Sequence, residues 1–138
     1  MGKRTPDSEK TIKQLKKDVW KWFSLARRLE SCYEGYGNCC TCGKLIHYKK
    51  GNAGHFRHNV NNTYFLEKNV HLQCIFCNMY CSGKTYEYGR YLDERYGEGT
   101  ADGLDLLSHK RKTFKKEELI ELKEIWKTKA KKLEETNG

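Results

Sequence analysis

Two pairs of cysteines, each with two residues between its members, are the clearest chemical feature of this chain. They are Cys39 with Cys42 and Cys74 with Cys77. Two-residue spacing lets both sulfurs of a pair reach one ion, and four thiolates form the closed tetrahedral ligand set of structural zinc. Because four sulfurs leave no open coordination position, the sequence predicts a zinc ion that supports structure and does no chemistry.

The segment between the two pairs carries the side chains that are suited to catalysis, together with an asparagine that follows the last cysteine directly. They are His55, Asn69, His71 and Asn78. An unperturbed imidazole titrates near pH ~6.5, so a histidine can take a proton from water at neutral pH. A lone histidine in a strand is more often structural. The zinc clamp around His55 nevertheless makes it the candidate general base.

Asn69 and His71 are two residues apart in a segment that we predict to be extended. Side chains at this spacing lie on the same side of a strand. We therefore expect one strand edge to present both of them to the site, with Asn78 held in place by the adjacent zinc ligand Cys77.

Basic residues surround this segment and predict a polyanionic partner. The formal net charge is +9 and the pI is about 9.2, a balance that favours nucleic acid. Residues expected to contact DNA phosphates are Arg57, His58, Lys44, Lys49, Lys50 and Lys84. Phosphate contacts position DNA without selecting its sequence, so binding should weaken steeply with salt.

The cysteine count and the termini indicate a reducing compartment. Seven cysteines are an odd number, and zinc ligation leaves Cys32, Cys40 and Cys81, which we expect to be free thiols. The N-terminus has no apolar stretch typical of an export signal, and no run approaches the ~20 apolar residues of a membrane span. The expectation is a cytoplasmic protein with no membrane partner.

The elements that must position these residues fall into a single α+β domain over residues 1–138. Apolar positions with spacings of three and four predict an N-terminal helix over residues 8–34, with Thr5 and Pro6 at its start, and a C-terminal helix over residues 114–135. Residues 39–96 form the zinc-bound core, and residues 97–113, rich in Gly and Asp, form a loop. The lysine-rich face of the first helix is either solvated or in contact with phosphate.

Within the core, residues 45–48 and 56–65 are predicted to form a hairpin that is joined by residues 49–52. An extended segment over residues 69–73 leads to the second cysteine pair, where a helix begins, and another helix covers residues 86–96. The tyrosines of that last helix, Tyr86, Tyr88, Tyr91 and Tyr96, are interpreted as packing residues.

The central pattern resembles the phage NinG (Rap) recombination proteins, a branch of the His-Asn-His endonucleases with a ββα-metal core. The pattern runs through Cys39, Cys42, Gly43, Ala53, Gly54, His55, Phe56, Asn69, Val70, His71, Gln73, Cys74, Cys77, Asn78, Ser82 and Gly83. The resemblance implies a small zinc-stabilised ββα-metal core between two long helices. It also implies a metal-dependent endonuclease that cuts branched DNA, such as Holliday junctions or D-loops, during phage recombination in the host cytoplasm.

The resemblance assigns roles by position. His55 would activate water, Asn69 would orient the loop and the base, and Asn78 would stand where a histidine usually binds the catalytic metal. Gly54 replaces an aspartate that binds metal in many members of the wider superfamily. We therefore expect His71 to compensate, binding Mg²⁺ or Mn²⁺ together with Asn78 and water molecules.

Two other functions remain open: a zinc-ribbon-like adaptor for DNA or a recombinase, without catalysis, and a nuclease of linear duplex or single strands. The intact set of histidines and asparagines favours the nuclease, because an adaptor needs none of them. Paired cuts in a four-way junction would suit a two-fold homodimer.

Overall fold

The computed structural model describes residues 5–58 and 62–137 and has the predicted α+β class. The α-helices are α1 (Ile12–Glu30), α2 (Thr85–Tyr96), α3 (Thr100–Ser108) and α4 (Lys116–Asn137). The strands are β1 (Tyr36–Asn38), β2 (Leu45–His47), β3 (Gly51–His55) and β4 (Val70–Cys74). A short π-helix, Phe76–Tyr80, follows β4. None of the described helices is long and apolar enough to cross a bilayer.

The start of α1 differs from the prediction. Thr11 caps the helix: its hydroxyl accepts a hydrogen bond from the Gln14 amide at 3.1 Å, and the Gln14 side chain accepts one from the Thr11 amide at 2.9 Å. This reciprocal capping box satisfies two amide groups that would otherwise lack partners. Asp7–Glu9 forms only a 3-10 turn, so the proline at position 6 does not open the helix.

The strand pairing also differs from the predicted hairpin. β2 pairs with β1, not with residues 56–65, and β3 pairs with β4 in antiparallel register. Residues 51 and 52, predicted as a turn, are the first two residues of β3. Residues 59–61 of the predicted second strand lie outside the described residues, and the described remainder of that segment is bends and turns after His55.

The β3–β4 pair separates two helical layers. On one face α1 packs on both strands and α4 packs on α1. This layer holds the main apolar core, which includes Leu15, Val19, Phe23, Phe65, Val70, Leu119 and Trp126. Burial of such side chains stabilises each by about 1.5–3 kcal/mol relative to exposure. α4 confirms the predicted C-terminal helix, with both bounds shifted by two residues toward the C-terminus.

The other face of the strand pair carries α2 and α3. Phe56, Tyr88, Leu92 and Leu104 form its buried core. The segment predicted to be a loop over residues 97–113 contains α3, so that prediction was wrong. Asp93 accepts a hydrogen bond from the Ala101 amide at 2.9 Å and so supports the first turn of this helix.

Candidate functional site

The four predicted zinc ligands come together in space. One sulfur from each of Cys39, Cys42, Cys74 and Cys77 lies within 4.8 Å of the other three. The Cys42 and Cys74 sulfurs are 3.8 Å apart, and tetrahedral zinc with Zn–S bonds of about 2.3 Å requires about the same separation. The cluster therefore fits a metal such as zinc, with one pair at the β1–β2 turn and the other at the end of β4.

Local hydrogen bonds prepare two of these sulfurs for a cation. The Cys77 amide donates to the Cys74 sulfur at 3.4 Å, and the Thr41 hydroxyl lies 3.3 Å from the Cys39 sulfur. Burial opposes ionisation of Cys39, but hydrogen bonds from the backbone and from Thr41 lower its pKa to about 6. Burial raises the pKa of Cys77 to about 12. A dication among the four sulfurs would favour the thiolate at every position.

The three remaining cysteines stay outside this cluster. Cys32, Cys40 and Cys81 are free and partly buried, as predicted. Burial raises the pKa of the Cys40 thiol far above its usual range, which keeps that sulfur protonated and unsuited to bind metal.

His55 ends β3 inside a group of aromatic rings. Its ring stacks on Trp20 of α1, with centroids 4.7 Å apart, and on Tyr64, with centroids 4.5 Å apart. The side chain is 8% exposed. His58, which is exposed, lies beside it with a ring-centroid separation of 6.1 Å.

One hydrogen bond fixes the tautomer of His55. Its Nε2 lies 3.1 Å from the Tyr64 carbonyl oxygen. A carbonyl only accepts, so Nε2 must carry the hydrogen and Nδ1 must carry the lone pair of the neutral ring. Burial lowers the pKa of His55 to about 4, so the ring is neutral at physiological pH and Nδ1 is available to accept a proton.

Asn69 holds the loop that follows His55. Its side-chain oxygen accepts from the Arg57 amide at 2.9 Å, and its side-chain nitrogen donates to the carbonyls of Arg57 at 2.9 Å and Thr63 at 3.0 Å. It lies in a 3-10 turn, Glu67–Asn69, not in the strand, and is fully buried. It orients the loop, but it does not share a strand edge with His71, so that prediction was wrong.

His71 does not join His55. In the register, His55 pairs with Val70 and His71 pairs with Gly54. Because paired residues share a face and neighbouring residues alternate, the two imidazoles lie on opposite faces of the strand pair. His71 is 4% exposed and faces α2.

Both nitrogens of His71 are already engaged. Nδ1 lies 3.1 Å from the Tyr88 hydroxyl, which itself donates to the Gly54 carbonyl at 2.7 Å, so Nδ1–H must be the donor in that pair. Nε2 then accepts from the Tyr96 hydroxyl at 2.8 Å. With no free lone pair, His71 is not suited to bind a catalytic ion, and the predicted role is corrected to a structural one.

Asn78 lies on the π-helix and is half-buried. His58 lies close to the loop that follows this helix: its Nε2 would be 3.5 Å from a Cβ atom at Gly83, and the Gly83 amide donates to the Cys77 carbonyl at 2.9 Å. The exposed imidazole of His58 therefore lies beside His55, whereas His71 does not.

The predicted Mg²⁺ or Mn²⁺ is not supported by any cluster of acidic or imidazole side chains in the described part of the chain. Within residues 5–58 and 62–137, the four cysteines are the one group of three or more His, Cys, Asp or Glu side chains that could hold a metal ion.

Glycine is required at position 54 because the Gln73 side chain lies very close to the backbone there. A Cβ atom at this position would lie 2.0 Å from the side-chain oxygen of Gln73. The Gln73 side chain is fully buried and donates to the Gly83 carbonyl at 2.8 Å and to the Thr41 hydroxyl at 3.1 Å. Gln73 therefore links β4 to the zinc cluster and to the loop near His58, and it occupies the space that an aspartate at position 54 would need.

The predicted phosphate contacts separate into two groups. Arg57 is committed to an ion pair with Asp105 of α3 at 2.8 Å. Lys44, Lys49 and Lys50 are exposed, and Lys44, Lys50 and Lys84 line one cleft beside the zinc cluster. None of these four lysines has an ion-pair partner among the described residues.

The prediction missed a groove beside His55. It has a volume of about 510 Å³ and is lined by Ile12, Lys13, Lys16, Lys17, Trp20 and Tyr64. Trp20 and Tyr64 are the two rings that stack on His55. The lysines along one face of the predicted helix could have indicated a phosphate-binding surface. Only the tertiary structure, however, brings that face next to His55.

Comparison with known proteins relates this chain to one family of bacteriophage proteins. The family model described as bacteriophage lambda NinG protein matches residues 4–136. The NinG protein of Salmonella phage P22 is 33% identical over 102 residues, which is 72% of this chain and 49% of the relative. The NinG protein of Escherichia phage lambda is 32% identical over 97 residues, which is 69% of this chain and 47% of the relative.

The chain thus spans about half the length of these relatives. No solved structure gives a significant match. Because the family model covers nearly all of the sequence, from residue 4 to residue 136, this chain belongs to the NinG family of bacteriophage proteins.

Proposed function

We propose that this NinG-family protein is an endonuclease that hydrolyses phosphodiester bonds in branched DNA during phage recombination, with His55 as the general base. The observation that carries the proposal is the state of the His55 ring. It is neutral, its tautomer is fixed by the Tyr64 carbonyl, and its Nδ1 has no hydrogen-bond partner among the described residues.

The proposed step starts with a water molecule beside Nδ1. Nδ1 takes a proton from the water while the water oxygen forms a bond to phosphorus and the bond from phosphorus to one sugar oxygen breaks. The leaving oxygen takes a proton from solvent, and His55 later returns its proton to solvent. A pKa near 4 makes His55 a weak base, but the negative phosphate of bound DNA would raise it.

The groove formed by Lys13, Lys16, Lys17, Trp20 and Tyr64 would guide the DNA backbone to His55. Lysine contacts to phosphates supply affinity without sequence selectivity. Such contacts suit a protein that recognises the shape of a branched substrate.

Two structural features support the comparison with His-Asn-His nucleases. β3, β4 and the π-helix follow one another as strand, strand and helix, with His55 at the end of the first strand. Asn69 fixes the backbone at residues 57 and 63 through three hydrogen bonds, and this restrains the loop that carries Tyr64. The zinc at the four cysteines would hold β4 and the π-helix in place, with no open position for substrate.

The test is cleavage of labelled DNA. Wild-type protein would be incubated with a four-way junction, a flap and a linear duplex of equal length, in Mg²⁺, Mn²⁺ or EDTA. We expect metal-dependent cleavage that is strongest for the junction and lost in His55→Gln. His109→Gln is the matched control, because this histidine is exposed on α3's C-terminal side. Equal cleavage by wild type and His55→Gln would refute the proposal.

One observation favours the alternative function, a DNA or recombinase adaptor without catalysis. Among the described residues, no second metal cluster accompanies the four cysteines. Junction binding without cutting in either Mg²⁺ or Mn²⁺ would support this alternative. Paired cuts would also require two active copies, so we propose a homodimer on the junction, to be measured by light scattering with and without DNA.

A further inference from the structure

Four large apolar side chains of the second zinc knuckle face solvent. They are Ile75, Phe76, Met79 and Tyr80, which are 44%, 63%, 66% and 76% exposed. We call this group the knuckle patch. Contiguous exposed apolar groups of this kind usually mark a binding surface, because burial would otherwise be favoured.

The knuckle patch is held rigidly outward by the cysteine cluster. Cys77 is the second residue of the π-helix and is fully buried at the cysteine cluster, so the residues on the opposite side of this short helix face solvent. Phe76 and Tyr80 are near-parallel, with ring centroids 6.3 Å apart and an interplanar angle of 28°. The Cys81 amide donates to the Phe76 carbonyl at 3.0 Å and closes the helix.

Positive charge borders the knuckle patch. A cleft of about 470 Å³ is lined by Ile75, Phe76, the lysines Lys44, Lys50 and Lys84, and the zinc-ligand cysteines Cys42, Cys74 and Cys77, and no Asp or Glu side chain lines it. The described residues provide no carboxylate partner for these three lysines. Planar aromatic rings beside unpaired cations suit a ligand with flat rings and a negatively charged backbone.

We propose that the knuckle patch binds unpaired nucleobases of DNA, with Phe76 and Tyr80 as stacking surfaces and Lys44, Lys50 and Lys84 on the adjoining phosphates. A second copy of the chain fits this surface less well. A two-fold contact through it would bring the lysine clusters of the two copies close together, and their positive charges would repel.

The position of the knuckle patch connects it to the proposed nuclease site. Lys84 follows Gly83, the residue next to the exposed His58, and His58 neighbours His55. This inference rests on the proposed function in one respect: bases on the knuckle patch would be those unpaired at a branch point near the cut phosphate.

The experiment measures binding in the His55→Gln background, so that it does not depend on cleavage. Probes are a single-stranded oligothymidine, a linear duplex of equal length, and a four-way junction with 2-aminopurine at the branch point. The variant is Phe76→Ala/Tyr80→Ala. The control is Tyr33→Ala, which removes another exposed ring that is 80% exposed and lies outside the knuckle patch.

We expect the double variant to weaken binding to the single strand and the junction at least tenfold, with less than a twofold change for the duplex. The 2-aminopurine quenching caused by the parent protein should disappear. Retained zinc content and circular dichroism would show that the variant is folded.

Unchanged single-strand affinity, or an equal loss on the duplex, would overturn the inference, as would a dimer that dissociates in the double variant. The two proposals fail separately. A wild-type protein that never cleaves refutes the nuclease but leaves the base-binding result intact, and the reverse also holds.

Discussion

His55 and His71 lie on neighbouring strands of one antiparallel pair, yet the two faces of that pair give them opposite properties. On the α1 face, His55 has one nitrogen bound to a carbonyl and one without a partner among the described residues. On the α2 face, His71 has both nitrogens bound to tyrosine hydroxyls. Both are buried and both have lowered pKa values. The number of free lone pairs, not burial or pKa, therefore distinguishes a candidate catalytic histidine from a structural one.

The largest effect should come from removing the support that both faces share. Cys74→Ser, or a strong zinc chelator, should unfold the centre of the chain. DNA cleavage should then be lost, and so should the hydrogen bonds of His71. Structural zinc contributes about 10–16 kcal/mol in zinc-finger peptides. Thermal unfolding and zinc content measure the outcome. Cys81→Ser is the matched control and should behave like wild type, because its sulfur lies outside the cluster.

The next effect concerns the α1 face alone. His55→Gln should reduce junction cleavage by about 10²–10⁴-fold, the usual contribution of a general base, while junction affinity changes little. Gel assays of cleavage and fluorescence anisotropy separate the two quantities. If instead affinity and cleavage fall together, His55 holds DNA and does not activate water.

On the α2 face, His71→Phe should lower the free energy of unfolding by about 1–3 kcal/mol, because the Tyr96 hydroxyl loses its acceptor and the Tyr88 oxygen loses its donor. Cleavage by the remaining folded protein should stay near the wild-type rate. Urea unfolding followed by fluorescence measures the first quantity. A metal requirement altered in this variant would restore His71 to the catalytic set and remove the contrast between the faces.

The smallest effect near neutral pH is the change of stability with pH. Both histidines have native pKa values below the unfolded value of 6.5: His55 at about 4 and His71 at about 3, each lowered mainly by burial. Between these values and pH 6.5 the unfolded chain binds more protons, so stability should fall as pH decreases through this range. His55→Gln should remove the contribution of this ring to the loss of stability, which falls between pH 6.5 and about 4.

His71→Phe should remove the part of the same acid loss that extends to about pH 3. Acid release of zinc occurs in both variants and in wild type, so it cancels in the differences. Unfolding curves taken at intervals from pH 7 down to pH 3 measure both parts. If the stability of wild type and of both variants changed equally with pH, burial would not be lowering the pKa of either histidine in the native state.

The sequence predicted those features that depend on short spacing. The cysteine cluster follows from two-residue spacing, and both long helices follow from apolar positions three and four apart. Three of the four tyrosines predicted to pack, Tyr88, Tyr91 and Tyr96, do so, while Tyr86 is 72% exposed.

The features that were missed depend on contacts between distant residues. β3 contains Gly51, Ala53 and Gly54, and no β-branched residue marks it as a strand. Glycine is favoured there because Leu72 and Gln73 leave no room for a side chain at positions 51 and 54. The face of His71 was equally hidden, because it depends on the register with β3 and on hydroxyls from α2.

The contact between Gly54 and Gln73 has a consequence for how such a chain can change over time. An acidic side chain at position 54 would collide with the Gln73 oxygen, so a single codon change there should produce a damaged protein. Shortening Gln73 first would release the tie to residues 41 and 83. A lineage could therefore exchange glycine for aspartate only by substituting both positions, and either single substitution alone would pass through a damaged intermediate.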